Sequence, residues 1–357
     1  MKEPDVKITK EILRLVAEID EFKGQWKALG NLAPERLDAL KKVATVESVG
    51  SSTRIEGARL TDIEVEKLLA GLEIGTFHCR DEEEVAGYAE AMNLVFGSFR
   101  EIAVTENHIK QLHSILLRYS SKDVRHRGEY KKLPNNVEAF DQDGKSLGVI
   151  FETATPFDTP REMAALVDWT KGSLQAEELH PLLTIAVFVV HFLAIHPFQD
   201  GNGRLSRVLT TLLLLRCGYA YVPYCSLESI IEQNKDRYYL ALRKAQKTLK
   251  SDDSGLDAWL VFFLRSLKTQ KDNLTKKIER EKIMLTLPEL SGQILSIIKE
   301  HGRATISDIE AITRANRNTI KVRLRELTTS GLLAKHGQAK GTWYTQAEGG
   351  MATRTEG

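Results

Sequence analysis

The stretch HPFQDGNGRLSR, residues 196–207, determines the fold prediction for this chain. A mostly apolar segment, residues 182–195, precedes it, and a second, residues 208–218, follows it. Each is long enough to form a buried helix. Pro197 should end the first helix near His196, because proline lacks an amide hydrogen and clashes with a continuing helix. The stretch therefore predicts a tight polar turn between two buried helices of a mainly α-helical domain.

The turn has the groups of an anion site. Gly201 and Gly203 let a ligand approach the backbone closely. A helix that starts near Asn202 directs free N–H groups and the positive end of its dipole at the turn. Arg204 and Arg207 are three residues apart, so they share one face of that helix, and each can bind phosphate oxygens through two hydrogen bonds.

Two further side chains of the turn suit group transfer. Asp200 is a hard oxygen ligand of the kind that Mg²⁺ uses beside substrate phosphates. His196 titrates near neutrality and can take a proton from an incoming hydroxyl. These groups together predict a site that holds a triphosphate and transfers one part of it.

The stretch is similar to the signature of the Fic (filamentation induced by cyclic AMP) family, His-x-Phe-x-Asp/Glu-Gly-Asn-Gly-Arg-x-x-Arg, with every fixed position filled. The resemblance implies a protein adenylyltransferase, which moves AMP from ATP to a Ser, Thr or Tyr hydroxyl of a target protein and of itself. It implies His196 as the base, Asp200 as the ligand of Mg²⁺ and Phe198 as the anchor of the loop. It also implies that ATP is bound by Gly201, Asn202, Gly203, Arg204, Leu205, Ser206 and Arg207.

A second motif lies upstream in SSTRIEG, residues 51–57. Ser52 and Glu56 are one helical turn apart, and Gly57 suits a helix C-cap. The three residues resemble the inhibitory helix of the family, Ser/Thr-x-x-x-Glu-Gly/Asn, in its N-terminal, class II position. The resemblance implies that Glu56 pairs with Arg207 and occupies space that the γ-phosphate of ATP needs. Whether Glu56 also supports removal of AMP stays open at this level.

Two other segments fit the same family. Residues 143–144 (Asp-Gly) are a hairpin-turn signal between residues 127–131 and the β run at 148–156. Their order resembles the flap that pairs with a target segment, and a plain surface hairpin is the alternative. Tyr239, in residues 234–240, resembles a nucleoside contact, and a core position is the alternative.

The pattern changes after residue 286. Apolar periodicity predicts a helix that ends at residues 301–302 (His-Gly), and Ser307 with Glu310 predicts a capping box at the start of a second helix. A third helix over residues 318–330 and a β-wing follow, an order similar to a winged helix-turn-helix. Between residues 314 and 340 one glutamate accompanies Arg314, Arg317, Lys321, Arg323, Arg325, Lys335 and Lys340. This basic stripe favours DNA binding, with protein binding as the alternative.

The predicted domains are an N-terminal helical region with the inhibitory motif (1–100), a Fic core (101–265), a solvated helical linker (266–285), a winged helix-turn-helix (286–345) and a disordered tail (346–357). The net charge of +1 gives no global attraction to nucleic acid. An odd number of cysteines, and the lack of a signal peptide or an apolar run long enough to span a bilayer, predict a cytoplasmic protein. The resemblance also implies a homodimer.

Two alternatives remain from the sequence. One is a DNA-binding regulator in which a Fic fold senses a nucleotide. The other is a Fic enzyme that transfers UMP or phosphate, or that removes AMP.

Overall fold

The computed structural model describes residues 4, 6–28, 34–71, 77–135, 137–140, 146–249, 255–338 and 341–347, without the side chains of 137–150 and 281–286. The chain divides into two compact units, residues 1–274 and 275–357. Over the described residues it is mainly helical, which confirms the predicted fold class.

The first unit consists of helices and one β-hairpin. Its elements are α1 (Lys10–Ala28), α2 (Pro34–Ile55), α3 (Asp62–Ala70), α4 (Arg80–Ser98), α5 (Glu106–Leu116), β1 (Val137–Phe140), β2 (Ser146–Phe151), α6 (Thr159–Ala176), α7 (Pro181–Ile195), α8 (Asn202–Arg216), α9 (Leu227–Gln233), α10 (Lys235–Thr248) and the part of α11 (Asp257–Thr286) up to Leu274. Strands β1 and β2 pair antiparallel, with Val137 opposite Phe151. The predicted turn residues Asp143 and Gly144 of this hairpin lie outside the described residues.

Helices α7 and α8 form the centre of the first unit. Nearly every residue of both helices is buried, which explains why their sequences are apolar around the whole circumference. Helix α7 packs against α6, α8 and α10, and α8 also packs against α2, α4 and α5. Each fully buried Leu, Val, Ile or Phe contributes roughly 1.5–3 kcal/mol. The turn between α7 and α8 is therefore held by two helices that are almost completely buried.

Helix α2 ends in a Schellman motif. The Ala58 N–H donates to Thr53 O at 3.1 Å, and the Gly57 N–H donates to Arg54 O at 3.1 Å. Gly57 has a φ of +108°, which side chains of other residues disfavour. The predicted cap at Gly57 is confirmed, and it fixes the position of Glu56, which directly follows the last helical residue, Ile55.

Helix α11 differs from its prediction. We expected residues 266–285 to be a solvated linker, but Leu267, Gln270 and Leu274 are buried. The Gln270 side-chain amide donates to Cys225 O at 2.6 Å. The prediction was wrong for this half because the dense charges occupy only one face of the helix, while the other face packs inward.

The second unit has the order α12 (Glu289–His301), β3 (Ala304–Thr305), α13 (Ile306–Thr313), α14 (Arg317–Thr329), β4 (Leu333–His336) and β5 (Trp343–Gln346). The sheet order is β3-β5-β4, all antiparallel, with Ala304 opposite Tyr344 and Leu333 opposite Gln346. A core of apolar side chains from α12, α13 and α14 packs on this sheet. The order supports the winged-helix assignment, which stays a prediction.

Two details of the second unit correct the sequence analysis. The capping box of α13 is formed by Thr305 and Asp308 and not by Ser307 and Glu310. The helix begins two residues earlier than expected, because β3 leads directly into it. Gln346 belongs to β5, so the predicted tail starts later, and residues 348–357 lie outside the described part. None of the described helices is both long and apolar enough to cross a bilayer.

Candidate functional site

The turn between α7 and α8, residues 196–203, is called the signature loop below. Helix α7 ends at Ile195 and α8 begins at Asn202, as the sequence predicted. His196 takes a left-handed conformation with φ +52°, and its N–H donates to Phe192 O at 2.9 Å. Gly201 has φ +77°. A left-handed histidine is uncommon, and such strain is maintained only by strong surrounding contacts.

Phe198 anchors the loop in the core, as the resemblance implied. Its ring is fully buried and stacks on the His113 ring with centroids 3.8 Å apart. The Asn202 side chain accepts from the Phe198 N–H at 2.9 Å and donates to Phe198 O at 2.7 Å. The loop is thus closed on itself by a side chain of the signature.

A polar platform formed by the buried Lys131 and the half-buried Asn135 binds the first half of the loop. Lys131 Nζ donates to Ile195 O at 3.0 Å and to Asn135 Oδ1 at 2.7 Å. Asn135 Nδ2 donates to Phe198 O at 2.6 Å and to His196 O at 3.2 Å. The Lys131 N–H donates to Pro197 O at 2.8 Å. Two side chains and one amide therefore satisfy four successive carbonyls, from Ile195 at the end of α7 to Phe198 in the loop.

His113 supports the second half of the loop. Its Nδ1 accepts from the Gly128 N–H at 2.9 Å, so its Nε2 carries the proton and donates to Asp200 O at 3.0 Å. Burial lowers the pKa of His113 to about 4, which keeps the ring neutral at pH 7. The sequence analysis did not identify His113, Lys131 or Asn135 as site residues, because each acts from a distant segment.

The loop borders a cavity of about 680 Å³, called the central cavity below. This size is typical of ligand sites. Of the residues predicted for the site, those that line the cavity are Glu56, His196, Asp200, Gly201, Asn202, Gly203, Arg204 and Tyr239. Leu205 and Ser206 are buried in α8, and Ser52 and Arg207 lie behind Glu56. Gly57 forms the cap of α2 and does not reach the cavity lining.

His196 is suited to accept a proton. Its Nδ1 lies 3.3 Å from Leu193 O, which places the ring proton on Nδ1 and leaves Nε2 with a free lone pair. Burial, with a smaller effect of Lys131, lowers the pKa of His196 to about 4. The imidazole is therefore neutral, and able to act as a base, over the whole physiological pH range.

Glu56 and Arg207 form a partly buried ion pair at the cavity wall. Arg207 Nη2 donates to Glu56 Oε1 at 2.7 Å and to Ser52 O at 2.9 Å, and Arg207 Nε donates to Ser52 Oγ at 2.8 Å. The Arg207 side chain is 4% exposed and that of Glu56 is 34% exposed. Glu56 thus stands between a buried guanidinium and the central cavity.

Glu56 also lies on the first turn of α8. A Cβ added to Gly203 would be 2.1 Å from Glu56 Oε1, so only glycine allows this approach. The N-terminus of a helix attracts anions through its free N–H groups and its dipole. A carboxylate therefore occupies a position that suits a phosphate oxygen.

Asp200 is the one signature carboxylate on the cavity wall. Burial opposes its ionisation, but Arg204, the Gly201 N–H and Arg80 together hold the pKa of Asp200 below its ordinary value. The described residues contain no group of three or more His, Cys, Asp or Glu side chains that could enclose a metal. A single carboxylate fits Mg²⁺ that arrives with phosphates, because Mg²⁺ commonly takes one or two carboxylates plus phosphate oxygens.

The structure adds residues to the cavity that the sequence analysis missed. They are Arg80, Glu84, Asn135, Phe151, Leu193, Gln199, Tyr238, Leu242, Arg243 and Gln246. Tyr238 is buried, whereas Tyr239 is 42% exposed. Four of these ten residues, Tyr238, Leu242, Arg243 and Gln246, lie on helix α10, which packs against α7 and β2. From this helix the sequence analysis had named Tyr239 alone.

Comparison with known proteins agrees with this geometry. Residues 103–214, which include the whole signature loop, match the Fic/DOC family. The chain contains a Fic/DOC domain over these residues. The match begins just before α5 and ends within α8, so the Fic domain contains His113, Lys131 and the signature. Residues 279–347 match a family described as a bacterial protein of unknown function (DUF977).

Relatives of the Fic domain are found among both named proteins and solved structures. The protein adenylyltransferase Fic of Drosophila grimshawi is 27% identical over 236 residues, 66% of this chain and 44% of the relative, so the chain spans less than half of that protein. A Fic domain containing signaling protein from Bacteroides thetaiotaomicron is 26% identical, with a TM-score of 0.58 over 72% of this chain and 97% of the other. A Fic family protein from Desulfovibrio desulfuricans G20 shares the fold over 98% of this chain and 100% of the other, with a TM-score of 0.62 and 22% identity.

Proposed function

We propose that the protein is an adenylyltransferase that transfers AMP from ATP to a hydroxyl side chain of a target protein, and to itself, and that Glu56 inhibits it. The observation that carries this proposal is the composition of the central cavity. A neutral base, His196, and an anion-binding helix start at Asn202 line the same space. The Drosophila grimshawi relative of this domain is a protein adenylyltransferase.

The cavity lining contains both anion-binding and apolar groups. The Nε and Nη1 atoms of the buried Arg204 make no hydrogen bond with any described residue, although Nη1 lies 3.1 Å from Glu84 Oε2. Buried donors of this kind favour an anion as partner. In the same cavity, Tyr238, Tyr239 and Leu242 offer aromatic and aliphatic surface that suits a nucleoside.

The proposed reaction follows from these positions. Nε2 of His196 takes the proton of the target hydroxyl while the hydroxyl oxygen forms a bond to the α-phosphorus. The bond from this phosphorus to the bridging oxygen breaks, and pyrophosphate leaves. Arg204 and the N–H groups at the start of α8 stabilise the negative charge. When Mg²⁺ is bound, it neutralises phosphate charge beside Asp200, which is the carboxylate placed to hold it.

Autoinhibition by Glu56 is part of the same proposal. Its carboxylate pairs with the Arg207 guanidinium and lies against the first turn of α8. The outer phosphates of ATP would otherwise contact both. A charge-assisted bond of this kind is worth about 1.5–3 kcal/mol, a bias of about 10- to 150-fold. ATP would then bind in a pose unsuited to attack. The hairpin β1–β2 borders the cavity through Phe151 and is proposed as the flap that aligns the target segment.

Donor labelling tests the proposed reaction. The Glu56→Gly variant should retain label from ATP marked at the α-phosphate and none from ATP marked at the γ-phosphate, while UTP should label it less. Retention of γ-phosphate label instead would replace AMP transfer by phosphate transfer. If AMP is released from a labelled protein, and this release requires Glu56, the protein has the reverse activity.

DNA binding by the second unit is a second candidate. Arg317, Lys321 and Arg325 are exposed at spacings of four residues on α14, beside the exposed Val322. Such a face can contact phosphates and a base edge. Lys335 of β4 is also exposed, and Lys340 lies outside the described residues.

The salt dependence of duplex binding tests this second candidate. A basic contact surface predicts that affinity falls steeply between about 50 and 200 mM salt, and that Lys321→Ala with Arg325→Ala reduces both the affinity and the slope. The matched control is Arg59→Ala with Lys67→Ala, two exposed cations of the first unit. Equal binding by both double variants would contradict a role for α14.

A further inference from the structure

Arg80 is a cation of the central cavity that lies outside the signature. It is the first residue of α4, far from the signature loop in sequence, and it lines the cavity beside Asp200. Arg80 Nη2 lies 2.8 Å from Asp200 Oδ2, and Arg80 Nε lies 2.8 Å from Glu84 Oε1. The guanidinium therefore bridges a carboxylate of the loop and a carboxylate of its own helix.

Glu84 connects Arg80 to the buried Arg204. Its Oε2 lies 3.1 Å from Arg204 Nη1, and Arg204 Nη2 lies 3.6 Å from Asp200 Oδ2. The side chains of Arg204 and Glu84 are 2% and 11% exposed, but that of Arg80 is 46% exposed. Of the four groups, Arg80 is the cation that can move without opening the core.

The charges of this cluster cancel before a nucleotide binds. Two guanidiniums face two carboxylates, and Arg207 faces Glu56. A triphosphate adds several negative charges, and a divalent cation offsets only part of them. Neutralising the remaining phosphate charge needs a further guanidinium. Arg80 would become available for this when Asp200 binds the divalent cation.

We propose that Arg80 is a third phosphate-binding arginine, which moves from Asp200 to the outer phosphates of ATP when the divalent cation takes the carboxylate. A divalent cation held by Asp200 would repel the Arg80 guanidinium and compete with it for the carboxylate, so charge would drive the exchange. Glu84 stays on Arg204 and limits how far Arg80 swings. This inference rests on the proposed function, since it assigns a further contact to the same ATP site.

Nucleotide binding in the Glu56→Gly background tests the proposal. Calorimetry with ATP and Mg²⁺ should give about 10-fold weaker binding for Arg80→Ala than for the parent. AMP lacks the outer phosphates, so its affinity should change less than about twofold by the same reasoning. Arg80→Lys keeps the charge but lacks the paired N–H donors of a guanidinium. Its affinity for ATP should therefore lie between those of the parent and of Arg80→Ala.

The matched control is Arg14→Ala, because Arg14 also pairs with a glutamate four residues on, Glu18, but lies on α1 away from the cavity. It should leave both affinities unchanged. Unaltered ATP affinity in Arg80→Ala would overturn the Arg80 assignment alone. Equal losses for ATP and AMP would also overturn it, since they indicate a merely structural role. Absence of ATP binding in the Glu56→Gly parent itself would overturn the proposed function and this inference with it.

Discussion

Glu56 Oε1 accepts a 2.7 Å hydrogen bond from Nη2 of Arg207, a guanidinium that is otherwise bound by Ser52. The two residues are 151 positions apart in sequence. The end of α2 and the second turn of α8 bring them together, so the motifs proposed for inhibition and for phosphate binding meet at one contact.

Removing this contact should strengthen ATP binding. Glu56→Gly frees Arg207 and the start of α8, and we expect the Kd for ATP with Mg²⁺ to fall about 10- to 100-fold. Isothermal calorimetry measures the change. Glu35→Gly, an exposed position at the start of the same helix, is the control and should have no effect. An unchanged Kd in the Glu56 variant would separate this contact from nucleotide binding.

Arg54 should hold the inhibitory helix end in place. Its Nε and Nη2 bond both oxygens of Glu232 on α9 at 2.7 and 3.1 Å, and its Nη1 donates to Leu60 O at 2.9 Å. Arg54→Ala should loosen Glu56 and raise self-labelling by several-fold, less than Glu56→Gly does. Hydrogen exchange over residues 50–58 should rise in parallel.

A charge swap provides the control for Arg54. Arg54→Glu combined with Glu232→Arg should restore part of the inhibition, since it rebuilds an ion pair with reversed ends. Lys42→Ala, which breaks an exposed pair with Glu66 between α2 and α3, should not activate. Labelling in Arg54→Ala at the wild-type level would contradict the proposed clamp.

The Lys131–Asn135 platform should position the loop for catalysis. Lys131→Met in the Glu56→Gly background leaves the carbonyl of Ile195 without its donor, and we expect the labelling rate to fall about 10- to 100-fold. Lys132→Met, the exposed neighbour, should keep full activity. Thermal melts of both variants distinguish misplacement from unfolding. A fully active Lys131 variant would show that the loop does not need this support.

Acid should destabilise the Fic domain through His113. The ring is fully buried, and burial lowers its pKa from 6.5 to about 4. Between these values the unfolded state binds a proton that the folded state does not, so stability is retained above about pH 6.5 and is lost as the pH falls toward 4. The expected loss between about pH 7.5 and 5 is about 2 kcal/mol for this residue.

Urea denaturation at the two pH values measures this loss. His113→Gln should be less stable at pH 7.5 but should show a smaller pH dependence. His78→Gln, at an exposed position, should keep the pH dependence of the wild type. An identical pH dependence in His113→Gln would assign the acid sensitivity to other groups.

The sequence predicted those parts of the fold and site that depend on local pattern. The apolar segments around Pro197 fixed the ends of α7 and α8, and Gly57 marked the end of α2. The signature and the Glu56 motif could be recognised because the functional residues of each lie within a short stretch of sequence. The winged-helix assignment of the second unit was made in the same way and stays a prediction.

Long-range contacts were beyond the sequence analysis. Arg80, His113, Lys131 and Asn135 reach the signature loop from three other segments, and nothing in their local sequence signals a shared target. The amphipathic character of α11 was missed because its many charged residues dominate the composition. They obscured the periodicity of the apolar face that carries Leu267 and Leu274. The capping box of α13 was misplaced by two residues, since Thr305 also serves β3.

The intact mass of the protein after incubation with ATP and Mg²⁺ tests the central claim most directly. Glu56→Gly should gain the mass of one or more AMP groups, the wild type far less, and Glu56→Gly with His196→Ala none. A Glu56→Gly variant that binds ATP but neither becomes modified itself nor modifies added proteins would contradict the account.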